Sequence, residues 1–249
     1  MTKLSGKVAI VTGGASGIGE FTVREMVKEG ASVVFADLNE DLGYKLMDKL
    51  NSNGKKVIFE KTDVTKEKEV EALVKRAVSE FEKLDIMVSN AGIGKIGPSE
   101  EESLEEWHKV LAVNLDGVFL SAKYAVKVMK NNGGGNIINV ASILGHVGTP
   151  AVLSYTSSKG AVVNMTRALA LEYAKDNIRV NAICPGYIYT PALRDSLSGE
   201  EIRQLVDLHP IGRLGEVQEV AKSIVFLASD DASFITGTSL MVDGGYTAQ

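Results

Sequence analysis

Short runs of apolar, β-branched residues recur along the chain with helical stretches between them. They are Val8 to Thr12, Ala31 to Asp37, Lys56 to Lys61, Leu84 to Ser89, Asn136 to Ala141, Ile178 to Cys184 and Ser239 to Asp243. Their nearly continuous apolar character suits strands covered on both faces, so seven parallel strands are expected. Between them, Val70, Leu73, Val74, Ala77, Val78 and Phe81 fall on one helical stripe, which predicts a helix over Glu69 to Phe81. A Ser-x-x-Glu capping box, Ser103 with Glu106, opens a second helix expected to run unbroken to Lys130, before Asn131-Asn132-Gly133-Gly134-Gly135. Tyr155 to Ala174 reads as a third. This alternation predicts an α/β fold: a single doubly wound, Rossmann-like domain over residues 1–249 with a seven-stranded parallel sheet flanked by helices. The least patterned stretch, 185–210, is where a mobile substrate lid is expected.

Composition narrows the functional classes. With 249 residues, 45% hydrophobic and 24% charged, the chain can bury a sizeable core. A net charge of −5 with no basic block argues against a nucleic-acid or anionic-membrane binder. The apolar run near the N-terminus is too short for a signal peptide or a membrane span, so a cytoplasmic location is expected. Cys184 is the only cysteine and has no internal disulfide partner. His108, His146 and His209 are too scattered for a local metal motif, and no Gly-x-Ser-x-Gly elbow suggests a hydrolase.

Chemistry first surfaces after the first strand, in Thr12-Gly13-Gly14-Ala15-Ser16-Gly17-Ile18-Gly19. Gly13, Gly17 and Gly19 let the backbone turn tightly and approach a pyrophosphate at the start of a helix. Gly92, Gly94 and Gly97 match Gly-x-Gly-x-x-Gly better, but three glutamates, Glu100 to Glu102, follow and would repel a phosphate; that match is set aside. Strand two ends at Asp37, eighteen residues after Gly19, where a carboxylate can accept hydrogen bonds from an adenosine ribose. A 2′-phosphate about 5 Å from Asp37 would be repelled by about 6 kcal/mol before screening, at an effective dielectric near 20. Neither Ser16 nor Leu38 offers a neutralising cation, so NAD(H) is expected over NADP(H).

Tyr155 and Lys159 lie at i and i+4, on one helix face. Bringing a phenol into use near neutral pH needs about 4 kcal/mol in favour of phenolate, and one cation about 5 Å away supplies about 3. An oxidised nicotinamide would supply a second positive charge, so Tyr155 is expected to act as a base chiefly with cofactor bound. Ser142, after the fifth strand, sits where open α/β sheets carry active-site groups; its hydroxyl serves either to hold a substrate oxygen or simply to form a turn. Leu144, Leu153, Tyr187, Leu193, Leu197, Leu205 and Val206 are candidate pocket residues, and His146 either joins them or stays on the surface. Their apolar character favours a neutral hydrophobic ketone or secondary alcohol.

Taken in order, Thr12-Gly13 with Gly17-Ile18-Gly19, Asp63-Val64, Asn90-Ala91-Gly92, Asn114, Ser142, Tyr155 with Lys159, Pro185-Gly186 with Thr190, and Asp243-Gly244-Gly245 resemble the short-chain dehydrogenases/reductases over almost the whole chain. The resemblance implies that Ser142 orients the carbonyl or hydroxyl and that Tyr155 exchanges the proton. Lys159 would lower the phenol pKa and bond the nicotinamide ribose, while Asn114 would anchor a water of the proton relay. It further implies that Asp63 and Val64 flank adenine, that Asn90, Ala91 and Gly92 meet the adenosine ribose, and that Ile188 and Thr190, after Pro185-Gly186, meet the carboxamide. Many relatives carry two Asn before Ala-Gly, whereas Ser89 precedes Asn90 here, which puts a strand-stabilising bond in question. The C-terminal tail and Pro185 to Pro191 look like those of bacterial secondary-alcohol dehydrogenases of this family, which implies a homotetramer and, at Gln249, a magnesium site between subunits. The expected activity is NAD-dependent interconversion of a secondary alcohol and a ketone. One rival is a 3-oxoacyl-thioester reductase docking an acyl carrier protein on Lys123, Lys127, Lys130 and Arg167; another is a catalytically silent nucleotide sensor.

Overall fold

The computed structural model describes residues 2–52, 57–191, 193 and 198–249. Seven strands, β1 (Val8–Thr12), β2 (Ser32–Asp37), β3 (Val57–Lys61), β4 (Ile86–Ser89), β5 (Gly135–Val140), β6 (Ile178–Pro185) and β7 (Ser239–Val242), form one sheet. Every pairing is parallel, in the order β3-β2-β1-β4-β5-β6-β7. Each strand lies within two residues of its expected bounds; Lys56, the expected start of the third, falls outside the described residues.

Both faces are covered, which is why the strands carry so few polar positions. On one face, α1 (Gly17–Lys28) and α8 (Val217–Ala228) bring Val23, Met26, Val220 and Ile224 against Val11, Val33 and Phe35, with Leu46 of α2 (Glu40–Asn51) at the edge. On the other, α3 (Glu67–Phe81), α5 (Gly117–Met129) and α6 (Leu153–Tyr173) press Leu73, Val126, Met129 and Ala170 onto Ile10, Val34 and Ile137. The single α/β domain thus has three layers, one sheet between two sets of helices.

The expected uninterrupted helix from Ser103 to Lys130 requires correction. The capping box forms as expected at Ser103 and Glu106, but α4 ends at Leu111 (Leu104–Leu111). A π-helical turn, Ala112–Asp116, separates it from α5. Both sides keep an apolar stripe, so periodicity alone does not reveal the wider turn, a feature that often accompanies functional residues. It carries Asn114.

Segment 185–210 is only partly irregular: α7 (Gly199–Asp207) opens with its own capping box, Ser198 with Glu201.

Candidate active site

The strand order reverses between β1 and β4, and a crevice opens there beyond the carboxyl ends of the strands. A cleft of about 360 Å³ occupies it. Gly13, Ser16, Ile18, Gly19, Asp37, Leu38, Asp63, Val64, Asn90, Ala91, Gly92 and Thr190 line it, as anticipated from the sequence; Thr62, Ile93 and Val113 also line it and were not foreseen. Val113 enters because the π-helical turn carries it towards the cleft.

The glycine loop is tied down from three sides. Asp37 Oδ2 accepts from Ala15 N–H at 3.0 Å, closing the loop onto the end of β2. The Asn90 amide donates to the carbonyls of Thr12 and Gly13 at 3.0 and 2.9 Å, while Thr12 Oγ1 accepts from the backbone N–H groups of Asn90 and Ala91. Asn90 is therefore the clasp between β1 and β4 as well as part of the cleft wall. At Gly19 a Cβ would stand 2.0 Å from the Gly13 carbonyl oxygen, so only glycine allows this approach. Gly17 has φ +53, and a Cβ there would meet only Thr190 Cγ2, at 3.9 Å.

This cradle fits a nucleotide diphosphate. Ser16, at the start of α1, makes no side-chain capping bond, which leaves the helix N-terminus facing the cleft for an anion. Asp37 stands at the rim where a ribose hydroxyl donor would meet it, and Asp63 Oδ1 is held by Thr65.

Beyond Gly92 lie the groups of the expected proton chemistry. Lys159, 3% exposed, donates from Nζ to the Val140 carbonyl at 2.8 Å and sits 5.5 Å from the Tyr155 ring centre. Burial pushes its ammonium down to about 8. Burial also raises the Tyr155 phenol above the ordinary tyrosine range, opposed by a hydrogen bond with Ser142. Without a second positive charge the phenol thus stays protonated, in keeping with the shortfall expected from the lysine alone. Ser142 Oγ accepts from Leu144 N–H at 3.1 Å, so the turn and the approach to Tyr155 use one hydroxyl.

Asn114, fully buried, faces these groups from the π-helical turn. Its Oδ1 accepts from Ile93 N–H at 2.8 Å and its Nδ2 donates to Ile93 O at 2.9 Å and Ser158 Oγ at 3.2 Å. A Cβ on Gly92 would lie 3.4 Å from Asn114 Oδ1 and 3.6 Å from Lys159 Nζ, so Gly92 keeps a gap open between amide and ammonium.

The remaining expected residues are dispersed. Pro185 ends β6; Gly186 and Ile188 border a separate hollow with Tyr187 and His209, behind the cleft. Leu144 is buried, His146 is exposed, and Leu153 lines a small hollow with Ile96 and Pro98. Leu193 donates its N–H to Thr190 Oγ1, Leu205 and Val206 are half-buried on α7, and Leu197 lies outside the described residues. No one cavity gathers these pocket candidates among the described residues. Gln249 is exposed and donates to Leu208 O at 3.0 Å; no group of three His, Cys, Asp or Glu able to hold a metal occurs among the described residues. Cys184 is buried, with its thiol pushed up to about 11 chiefly by burial. Ser89 Oγ is buried with no hydrogen-bond partner among the described residues, so the side-chain bond placed in question at this position is not made.

A family model described as enoyl-(acyl carrier protein) reductase matches residues 13–247. Similar proteins include a cyclohexanol dehydrogenase of Acinetobacter sp. (strain SE19), 42% identical over 99% of this chain and 97% of that one. A cis-4-hydroxycyclohexanecarboxylate dehydrogenase of Sinomonas cyclohexanicum is 45% identical over 97% of each chain, and a cyclopentanol dehydrogenase of Comamonas testosteroni 39% identical over the whole of both. The crystal structure of gox2181 superposes with a TM-score of 0.96 at 34% identity, covering 100% of this chain and 98% of that one.

Proposed function

Because the chain belongs to the short-chain dehydrogenase/reductase family, we propose that it is an alcohol dehydrogenase that interconverts a cyclic secondary alcohol and its ketone with NAD(H). The observation that carries this reading is the meeting of Tyr155, Ser142 and buried Lys159 just beyond a glycine cradle that ends at Asp37. The names of the similar proteins support a cyclic alcohol. Asp37 at the rim supports NAD, since a 2′-phosphate would face its carboxylate.

When bound, oxidised nicotinamide supplies the hydride acceptor and a positive charge; the chain's part is to hold the alcohol and take its proton. Ser142 Oγ holds the alcohol oxygen, and Tyr155 Oη removes its proton as general base. The Lys159 ammonium, held to Val140 O, stabilises the phenolate form of Tyr155 that accepts this proton. Asn114, fixed on the Ile93 backbone, faces the gap at Gly92 through which the proton leaves towards solvent. The reading extends to a homotetramer in the cytoplasm; among the described residues no helix is long and apolar enough to cross a membrane.

Initial rates with cyclopentanol, cyclohexanol and acetoacetyl thioester, each with both cofactors, test the reading. Faster turnover of a cyclic alcohol with NAD is expected. Faster turnover with NADP would remove the role given to Asp37, and preference for the thioester would favour an acyl-thioester reductase. Tyr155→Phe is expected to lower kcat by about 10²- to 10⁴-fold while NADH affinity, read by fluorescence, stays within about twofold. A fully active variant would exclude this mechanism, and a wild type that binds NADH yet turns over nothing would favour the sensor.

A further inference from the structure

Tyr187 leaves the end of β6 close to Tyr155. Its phenol lies near Thr149, on the loop before α6, beside the proton-transfer groups. Its proximity adds to the rise of the Tyr155 phenol. Behind Tyr187 stands His209, 3% exposed, just past the C-terminus of α7.

Both imidazole nitrogens are engaged. Nδ1 lies 2.7 Å from the carbonyl of Leu205, on the last turn of α7, and Nε2 accepts from the Tyr187 backbone N–H at 3.4 Å. One neutral tautomer, protonated on Nδ1, makes both bonds. The ring meets Tyr187 edge-on at 5.9 Å, and Tyr246 of the C-terminal turn completes a triangle, 5.4 Å from His209 and 5.9 Å from Tyr187. That turn is itself fastened. Asp243 Oδ2 accepts from Thr247 N–H and Oγ1–H at 2.9 and 2.6 Å, Ile211 N–H donates to Gly244 O at 3.2 Å, and the Gln249 amide reaches Leu208 O. A phenylalanine would fill the same volume without a buried polar edge. What the imidazole adds is a hydrogen-bonded link between α7 and the loop after β6.

We propose that His209 is a positioning residue for substrate: braced by Tyr246, it fixes Tyr187 as the wall that sets which ring sizes fit opposite Tyr155. The inference rests on the alcohol chemistry proposed above. His209 touches neither reacting atoms nor the cofactor cleft, so its effect is on substrate fit and not on the chemical step.

Steady-state kinetics of full-length His209→Phe and His209→Gln against cyclopentanol, cyclohexanol and cyclooctanol test it. The glutamine places an amide oxygen where Nε2 accepts; the phenylalanine keeps the ring and loses both bonds. For His209→Phe, KM for cyclohexanol is expected to rise roughly tenfold with kcat within about threefold. The kcat/KM ratio of cyclooctanol to cyclopentanol is expected to increase, while NADH affinity stays within about twofold; His209→Gln should recover most of the KM. Unchanged KM and ring-size ratio in His209→Phe would overturn the proposal, as would equal impairment of both variants in proportion to a loss of Tm. Should His209→Phe fail to fold, Tyr246→Leu, which spares both imidazole bonds, is expected to shift the ratio the same way by about threefold, and an unchanged ratio there counts against the proposal. A wild type inert towards all three alcohols with both cofactors removes the parent reading; an active wild type with an unaltered His209→Phe removes this inference alone.

Discussion

The glycine-lined cleft and the aromatic cluster around His209 are built by different means. Around the cleft, most of the contributing residues sit at or just beyond the ends of strands, and neighbouring loops are stitched by short bonds: Asp37 to Ala15, the Asn90 amide to Thr12 and Gly13. The sheet register supplies the geometry, so a local motif is enough to specify a wall. In the aromatic cluster, Tyr187, His209 and Tyr246 come from a loop, a helix end and the C-terminal turn, and meet only through tertiary packing. The second arrangement is free to differ between chains that share the first.

Glycine substitution separates the two regions most sharply. Gly19→Ala would drive a methyl to 2.0 Å from the Gly13 carbonyl, a backbone atom that cannot swing aside. A stability loss of about 3 kcal/mol or more is expected, with NADH affinity falling at least roughly tenfold. Gly199→Ala, at the first turn of α7, meets nothing within 4 Å and should be neutral or stabilise by about 0.5 kcal/mol. Urea denaturation and NADH titration of both variants check this. Equal tolerance at the two positions would mean that the loop is not rigidly built.

The same division governs what the sequence reveals. All seven strands follow from β-branched runs because both faces of the sheet are buried. Gly13, Gly19 and Asp37 follow from spacing because each is fixed by the strand before it, whereas Asn90 comes only from the family resemblance. The π-helical turn at Asn114 is hidden, since one wider turn leaves the apolar stripes on either side intact. His209 stands out even less. Neither neighbouring residues nor periodicity mark it, and its partners Leu205, Tyr187 and Tyr246 lie at unrelated distances along the chain. Isolation from a metal motif says nothing about a histidine held by two backbone groups.

A smaller effect tests the electrostatics at the meeting point of the two regions. Burial lowers Lys159 from 10.5 to about 8, so below about 8 both folded and unfolded chains hold the proton and the full penalty of burying the charge is present. Between 8 and 10.5 only the unfolded chain holds it, and stability of the cofactor-free protein rises with pH. That one group contributes a rise of about 2 kcal/mol between about pH 7.5 and 9.5. Lys159→Met should abolish the rise and be more stable at about pH 7.5, yet turn over alcohol far more slowly. Urea denaturation at both pH values measures it; an undiminished rise in the variant assigns the titration elsewhere.

The smallest expected change lies in the strand that joins the regions. Ser89 ends β4 in register with Asn139 of β5, and both Ser89 Oγ and Asn139 Oδ1 are buried without a hydrogen-bond partner among the described residues. The Asn139 amide nitrogen is satisfied by Thr166 Oγ1 at 3.0 Å, which turns its oxygen away from that bond. Burying an unpaired hydroxyl costs free energy that no contact returns. Ser89→Ala removes the hydroxyl and breaks no bond, so a gain of about 1 kcal/mol in stability is expected, with kcat and NADH affinity unchanged because the Asn90 clasp is untouched. A loss of similar size would reveal a buried water joining Ser89 to Asn139, and the strand between cofactor and substrate sides would then be held by a hydrated pair.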